Sequence, residues 1–196
     1  MIGILDYGMG NVRSVQKAVE FLGGSAVISE DLSVLDGCER LILPGVGSFG
    51  EGMAELGKRG LVSYVKKRSP DTPTLGICLG MQFLLEKSYE DGENAGFGFC
   101  EGEVVRFTKG KVPQIGWNQI CSLRSPLFRG IPENVSVYFV HSYHASTTPR
   151  YSIATCNYYE DYAAAVWDGG CVYGTQFHPE KSGDMGLAIL KNFLTL

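Results

Sequence analysis

Two short stretches of this sequence carry residue types that can do chemistry together. The first is Thr74-Leu75-Gly76-Ile77-Cys78-Leu79-Gly80-Met81-Gln82-Phe83-Leu84. A brief apolar run ends in Gly-x-Cys-x-Gly, and an apolar, helix-compatible run follows. That is the sequence form of a nucleophile elbow, in which the chain leaves a strand, turns sharply and enters a helix with the reactive side chain at the tip. Gly76 and Gly80 let neighbouring backbone approach a strained turn. Unpaired N–H groups and the positive dipole end at a helix start favour a thiolate over a thiol. The second stretch is Tyr173-Gly174-Thr175-Gln176-Phe177-His178-Pro179-Glu180. His178 and Glu180 are two residues apart, and extended backbone would place them on one face. Pro179 favours that backbone at His178. Glu180 then accepts from one ring nitrogen while the other faces a thiol, which is how a base is held and aimed in covalent catalysis. Taken singly, the stretches also read as an inert buried Cys and a surface His beside a surface Glu. With only three histidines in the chain, their joint presence favours a Cys-His-Glu triad.

Cys78 followed far downstream by His178-Pro179-Glu180 resembles the class I (triad) glutamine amidotransferases. Further stretches narrow the likeness: Ile2-Gly3-Ile4-Leu5-Asp6-Tyr7-Gly8-Met9-Gly10-Asn11, Leu43-Pro44-Gly45-Val46-Gly47, Gly116-Trp117-Asn118, Tyr138-Phe139-Val140-His141-Ser142-Tyr143 and Gly174 to Ser182. They look like the glutaminase subunits of imidazole glycerol phosphate synthases, over nearly the whole chain. The resemblance implies an α/β fold of the class I amidotransferase, flavodoxin-like kind, with a central, mostly parallel sheet flanked by helices and a β-rich C-terminal half. It implies catalytic Cys78, His178 and Glu180, with L-glutamine as substrate and no metal or organic cofactor.

An acyl transfer needs two N–H groups for its oxyanion. Leu79, next to the nucleophile, offers one. A glycine loop after a neighbouring parallel strand can present the other, and the resemblance places it near Val46, in a peptide that must reorient before it donates. It also implies substrate contacts at Gly45, Gln82, Ser142 and Tyr143. Released ammonia would be protonated in water, so a dry passage and a partner are expected. By resemblance that partner is a (β/α)₈-barrel cyclase subunit, forming a heterodimer that makes imidazole glycerol phosphate and an aminoimidazole carboxamide ribotide in histidine biosynthesis.

Two positions depart from the family pattern. Histidine-pathway members commonly read Pro-His-Met-Gly-Trp-Asn where this chain has Pro113-Gln114-Ile115-Gly116-Trp117-Asn118, and His144 stands where Tyr is usual. They leave open a paralogue that feeds ammonia to a cyclase-like partner aminating a nucleotide-linked sugar for surface polysaccharide. From other classes, a stand-alone cysteine hydrolase and a non-catalytic cysteine redox sensor are alternatives, although a sensor has no need of His178 and Glu180.

The remaining composition bounds these readings. With 196 residues, 44% of them apolar and 19% charged, the chain suits one globular domain spanning its length. A net charge of −4 argues against a nucleic-acid binder. No apolar run approaches the roughly 20 residues that span a bilayer. No basic leader precedes Ile2-Gly3-Ile4-Leu5-Asp6, which reads as a first strand rather than a signal peptide. The six cysteines show no Cys-x-x-Cys spacing, so a reducing, cytoplasmic setting is expected, with five of them as small hydrophobes.

The triad must be positioned by elements at both ends of the chain. Strands are expected at Ile2 to Asp6, Ala26 to Ile28, Arg40 to Leu43 and Thr74 to Ile77. Between them fall a helix from Asn11, with Val12, Val15, Val19 and Leu22 on one face, and a helix near Phe49 to Arg68. Gly23-Gly24 stops the first helix. Alternation of this kind implies a parallel sheet with helices on both faces. Further strands are expected at Glu103 to Phe107, Val137 to Val140, Ile153 to Cys156, Ala163 to Trp167 and Cys171 to Thr175, the last two joined by a turn at Asp168-Gly169-Gly170. Ser182 would cap a last helix carrying Leu187, Leu190 and Leu194, and Glu90 to Gly98 reads as a flexible loop. Gly45-Val46-Gly47-Ser48-Phe49-Gly50 also matches a dinucleotide fingerprint, but it follows the third strand rather than the first. His141 and His144, three apart in a strand, face opposite sides and make a poor metal pair.

Overall fold

Short apolar runs alternating with amphipathic ones place the first half of the chain in repeated strand–helix units. The structure, a computed structural model, covers residues 1–196. It begins with β1 (Ile2–Leu5), α1 (Val12–Phe21), β2 (Ala26–Ser29), α2 (Leu32–Asp36), β3 (Arg40–Gly45), α3 (Phe49–Lys58), α4 (Leu61–Arg68), β4 (Thr74–Cys78) and α5 (Leu79–Gln82). Two short strands follow, β5 (Lys87–Ser88) and β6 (Asn94–Ala95), then β7 (Glu103–Arg106), β8 (Gln114–Cys121), β9 (Val135–His141), β10 (Tyr143–Ser146), β11 (Ser152–Asn157), β12 (Asp161–Trp167), β13 (Val172–Thr175) and α6 (Gly183–Phe193).

The strands form one sheet, ordered β2-β1-β3-β4-β13-β12-β10-β7-β5-β6, with β11, β8 and β9 branching from β12. Pairing is parallel from β2 through β13 and antiparallel from β13 to β12. The expected mostly parallel centre and β-rich second half are both present.

Side-chain alternation along the central strands feeds two cores, one on each face of the sheet. Ile2, Ile4, Ile42, Leu75 and Ile77 pack with Val15 and Val19 of α1 and with Leu190 and Phe193 of α6. Leu5, Leu41 and Leu43 turn the other way, onto Leu35 of α2, Phe49 and Leu56 of α3, and Leu61 and Val65 of α4. Strands buried on both faces read as continuous apolar runs, as these do.

Parallel pairing also fixes where the chemistry sits. The register matches Gly45 with Cys78 and Thr175 with Ile77. The carboxyl ends of β3, β4 and β13 therefore emerge side by side, and the segments leaving them must meet at one edge of the sheet.

Several local expectations need correction. The single helix over 49–68 is two helices, broken at Arg59-Gly60, where Gly60 takes φ 71°. α2 was not foreseen: it has only five residues, and its signal is Asp31, whose carboxylate accepts from the Ser33 N–H at 2.8 Å. β8 was missed because Gly116 interrupts its pattern with φ 126°, yet pairing to β9 along seven residue pairs holds it as a strand. Ser182 stands at the N-cap position of α6, but its side chain makes no capping hydrogen bond. Its hydroxyl donates to the His178 carbonyl at 2.6 Å and accepts from the Tyr138 N–H at 2.9 Å, which ties the turn after His178 to β9. The stretch from Glu90 to Gly98 contains β6 and is tethered by Glu90, whose carboxylate accepts from the Phe49 N–H at 2.7 Å. No helix is long and apolar enough to cross a membrane.

Candidate active site

Cys78 ends β4 and immediately precedes α5, with φ 56° and ψ −110°. A non-glycine residue at positive φ is strained, and it persists only where the surroundings over-determine it. The two flanking glycines show how. A Cβ on Gly76 would lie 2.4 Å from the Gly80 carbonyl oxygen, and one on Gly80 would lie 1.8 Å from that of Leu43. A Cβ on Gly45 would meet the Gly80 nitrogen at 2.7 Å and the Leu79 Cβ at 2.8 Å. Backbone packs directly on backbone here, so no side chain can yield. Gly80→Ala is therefore expected to destabilise the protein by about 3 kcal/mol or more, the upper end for overpacking. A urea unfolding midpoint equal to that of the parent protein would contradict this account of the elbow.

His178 arrives from the neighbouring strand β13. It is extended at φ −96° and ψ 96°, but Pro179–Lys181 forms a turn of 3₁₀ helix rather than the extended backbone expected. The pairing survives because Pro179 opens that turn and swings Glu180 back beneath the ring: Nδ1 lies 2.9 Å from Oε1. Both side chains are buried, 2% and 1% exposed. The other ring nitrogen, Nε2, is buried with no hydrogen-bond partner in the protein. Burial by itself disfavours charge on His178. The neighbouring Cys78 and the hydrogen bond and charge of Glu180 outweigh it and raise the ring pKa to about 10. At neutral pH the ring holds its proton.

Val46, Cys78, Leu79, Gln82, Ser142, Tyr143 and His178 all line one cavity of about 320 Å³. Chain segments far apart in sequence thus converge as expected from the strand ends. Two expected residues stand behind the wall instead. Glu180 backs His178, and Gly45 packs beneath Leu79 and Gly80. The Val46 N–H has no backbone acceptor. Gln82 is buried rather than exposed on its helix, and its Nε2 donates to the Tyr143 carbonyl at 2.8 Å.

Sequence reasoning missed several neighbours. Glu90, Val140 and His141 also line the cavity, and Gln176 approaches Cys78 from outside it, with Nε2 3.8 Å from Cys78 Sγ. Gln176 had a readable signal, two residues before His178 in one extended run. Glu90 had none. Burial holds the His141 pKa down near 3, so the ring is neutral, and its Nδ1 lies 2.8 Å from the Tyr143 carbonyl. A carbonyl only accepts, so Nδ1 carries the proton. His144 faces elsewhere, with Nε2 3.7 Å from Glu160.

The Gly45-to-Gly50 run opens α3, yet Glu90 occupies that helix start by accepting from the Phe49 N–H. A carboxylate of the chain itself stands where a dinucleotide phosphate would need to bind. All six cysteines are free thiols.

Beside the cavity, β8 and β9 present an apolar face outward. Ile115 pairs with Val140 and Trp117 with Tyr138. Ile115 is 63% and Trp117 58% exposed. Side chains of this size are rarely left in water without a purpose when they adjoin one another.

Residues 4–196 match the family model described as glutamine amidotransferase class-I. The chain is 48% identical to a protein of Geobacillus kaustophilus called imidazole glycerol phosphate synthase subunit HisH, over 99% of this chain and 96% of that one. Identity is also 48% with the subunit of the same name from Methanosarcina barkeri, covering 100% and 98%. Among solved structures, one described as a glutamine amidotransferase superposes with a TM-score of 0.78 at 21% identity, covering 99% of this chain and 97% of that one. A glutamine amidotransferase from Thermotoga maritima gives 0.68 at 17% identity, covering 98% and 95%. At such low identities these two likenesses concern the fold.

Proposed function

The chain belongs to the class-I glutamine amidotransferase family, and on that premise we propose that Cys78, His178 and Glu180 are its catalytic triad, at work in one amidotransferase domain. The chain is the glutaminase subunit of an imidazole glycerol phosphate synthase and supplies nitrogen to histidine biosynthesis. Full-length identity of 48% to two proteins of that name supports this reading over the polysaccharide paralogue, despite Gln114 and His144.

One observation carries the chemistry: the buried His178–Glu180 pair at 2.9 Å, on the same cavity as a cysteine held at positive φ. Cys78 sulfur attacks the γ-amide carbon of glutamine and the carbonyl becomes an oxyanion. Leu79 N–H and, once its peptide is suitably turned, Val46 N–H stabilise that charge. His178 gives its Nε2 proton to the departing nitrogen, the C–N bond breaks, and ammonia leaves behind a glutamyl thioester. His178 then takes a proton from water, whose oxygen attacks the thioester carbon, and the C–S bond breaks to release glutamate and restore Cys78. Glu180 keeps the ring in the required orientation and stabilises the imidazolium. Gln82, Ser142 and Tyr143 hold the amino-acid end of the substrate.

The partner is a cyclase subunit, proposed here as a (β/α)₈ barrel seated on the Ile115, Trp117 and Val140 face. That apolar face adjoins the cavity mouth, so docking there would shield both the side chains and the escaping ammonia from water. The test is glutamate release from the chain alone, with the cyclase, and with the cyclase plus its phosphoribosyl-formimino acceptor. Turnover is expected to rise stepwise, by about 10²–10³ if a single oxyanion donor is withheld at rest. Such coupling requires the acceptor-bound complex to prefer the turned Val46 peptide. Full activity in the isolated chain would favour a stand-alone hydrolase instead. A nucleotide-sugar acceptor run in parallel should give no increment.

A further inference from the structure

Gln176 lies outside the cavity yet reaches the nucleophile. It leaves β13 two residues before His178 and is 0% exposed. A buried amide must find partners for its polar atoms. Here those partners form a chain whose direction is set by chemistry. It begins at the Tyr143 carbonyl oxygen, which can only accept. The Gln82 terminus 2.8 Å away must therefore be its NH₂. The same nitrogen lies 3.1 Å from Gln176, and its second proton is donated there, so the facing atom is Gln176 Oε1. Gln176 Nε2 is thereby turned toward Cys78 Sγ at 3.8 Å. Flipping either amide would set carbonyl against carbonyl, or aim an oxygen at the sulfur. Nδ1 of His141 donates to the same Tyr143 oxygen and pins the origin of the chain.

The sulfur's other hydrogen-bond contact within the protein is the Val140 carbonyl oxygen at 3.9 Å. A thiol can donate to that carbonyl, whereas a thiolate is repelled by it. Gln176 offers the opposite preference, since an N–H bonds more strongly to a charged acceptor than to a neutral one.

We infer that Gln176 is a positioning residue for the nucleophile: aimed by Gln82 and the Tyr143 carbonyl, its N–H holds Cys78 sulfur in place for attack and stabilises the negative charge sulfur bears before attack and again as the thioester breaks. The inference rests on Cys78 being the nucleophile. It also divides the labour of the two amides. Both Gln82 protons are spent on the protein, so Gln82 meets substrate through its oxygen. Gln176 does not line the cavity, and it directs its Nε2 at the sulfur while its Oε1 accepts from Gln82. Loss of Gln82 should therefore disturb KM and kcat together, and loss of Gln176 should disturb kcat alone.

The experiment uses Gln176→Met, which keeps the volume and removes the donor, and Gln176→Glu, which keeps the shape and turns an acceptor toward sulfur. Alkylation of Cys78 by iodoacetamide at neutral pH is followed by mass spectrometry of the Cys78 peptide. Turnover is measured with glutamine in the complex with the cyclase and its acceptor. For Q176M, alkylation rate and kcat are both expected to fall about tenfold, the effect of one charge-assisted hydrogen bond, with KM for glutamine within twofold of the parent. Q176E should fall further, and it carries the test alone if Q176M does not fold. A folded Q176M or Q176E with parental alkylation and kcat, or with a change in KM only, overturns the inference. Cys78→Ala is run alongside. Turnover retained in that variant would mean the nucleophile itself is misassigned, whereas an inactive C78A beside a parental Q176M would fault Gln176 alone.

Discussion

Cys78→Ala is expected to abolish glutamine-dependent synthesis while leaving ammonia-dependent synthesis by the cyclase intact. The expected loss is on the order of 10⁴-fold or more, because removing the nucleophile of a triad leaves only what binding and oxyanion stabilisation supply. No other cysteine can substitute. Cys38, Cys100 and Cys156 are buried in the cores, and Cys121 and Cys171 stand outside the cavity. The fold should survive, since the substitution shortens a side chain that is 6% exposed at the edge of the cavity. Two assays on one preparation decide the matter: glutamate release, and product formation with ammonium salt in place of glutamine. Loss of both activities would indicate damage to docking rather than to chemistry. Retention of the first would remove Cys78 from the mechanism.

The second large effect concerns His178 and Glu180, the proposed base and its orienting carboxylate. His178→Ala should approach the inactivity of the cysteine variant. Glu180→Gln should lose on the order of 10²–10⁴ in turnover, because an amide holds the ring without stabilising its positive charge. The same pair makes stability depend on pH. The folded-state pKa of His178 is raised from 6.5 to about 10. Folding then favours the protonated ring, so its contribution is complete below about pH 6.5 and is lost as pH rises through about 10. Thermal midpoints of the parent protein should therefore fall between pH 7 and pH 10 more steeply than those of His178→Ala, with Glu180→Gln between them. Identical pH profiles for all three would show that the ring is neutral in the fold, and that proton delivery to the leaving nitrogen needs another source.

Reading the sequence alone singled out Cys78, His178 and Glu180, the triad proposed above, because each advertises itself locally. Gly76 and Gly80 flank Cys78 as backbone contact demands, and Pro179 sits between His178 and Glu180. The central strands were legible for a similar reason: buried on both faces, they appear as unbroken apolar runs such as Leu41 to Leu43. Elements without such local marks were less visible. β8 owes its existence to pairing with β9, and the break at Gly60 splits a stretch whose helical periodicity gives no warning. Ser182 has the composition of a cap, yet it spends its hydroxyl on the turn that carries His178.

The chemistry, then, was determined by the sequence itself: a cysteine on an elbow, a histidine beside a glutamate, and the alternation that makes a parallel sheet. Their convergence was decided by the tertiary structure, because the β3–β4 and β4–β13 registers are long-range properties, and only they bring Gly45, Cys78 and the segment after Thr175 to one edge. Glu90 at the start of α3, neutral His141 on the Tyr143 carbonyl and Gln176 against the sulfur belong to that second kind. A buried polar side chain takes its role from the partners that surround it, and partners separated by tens of residues in the chain become neighbours only when the sheet is assembled.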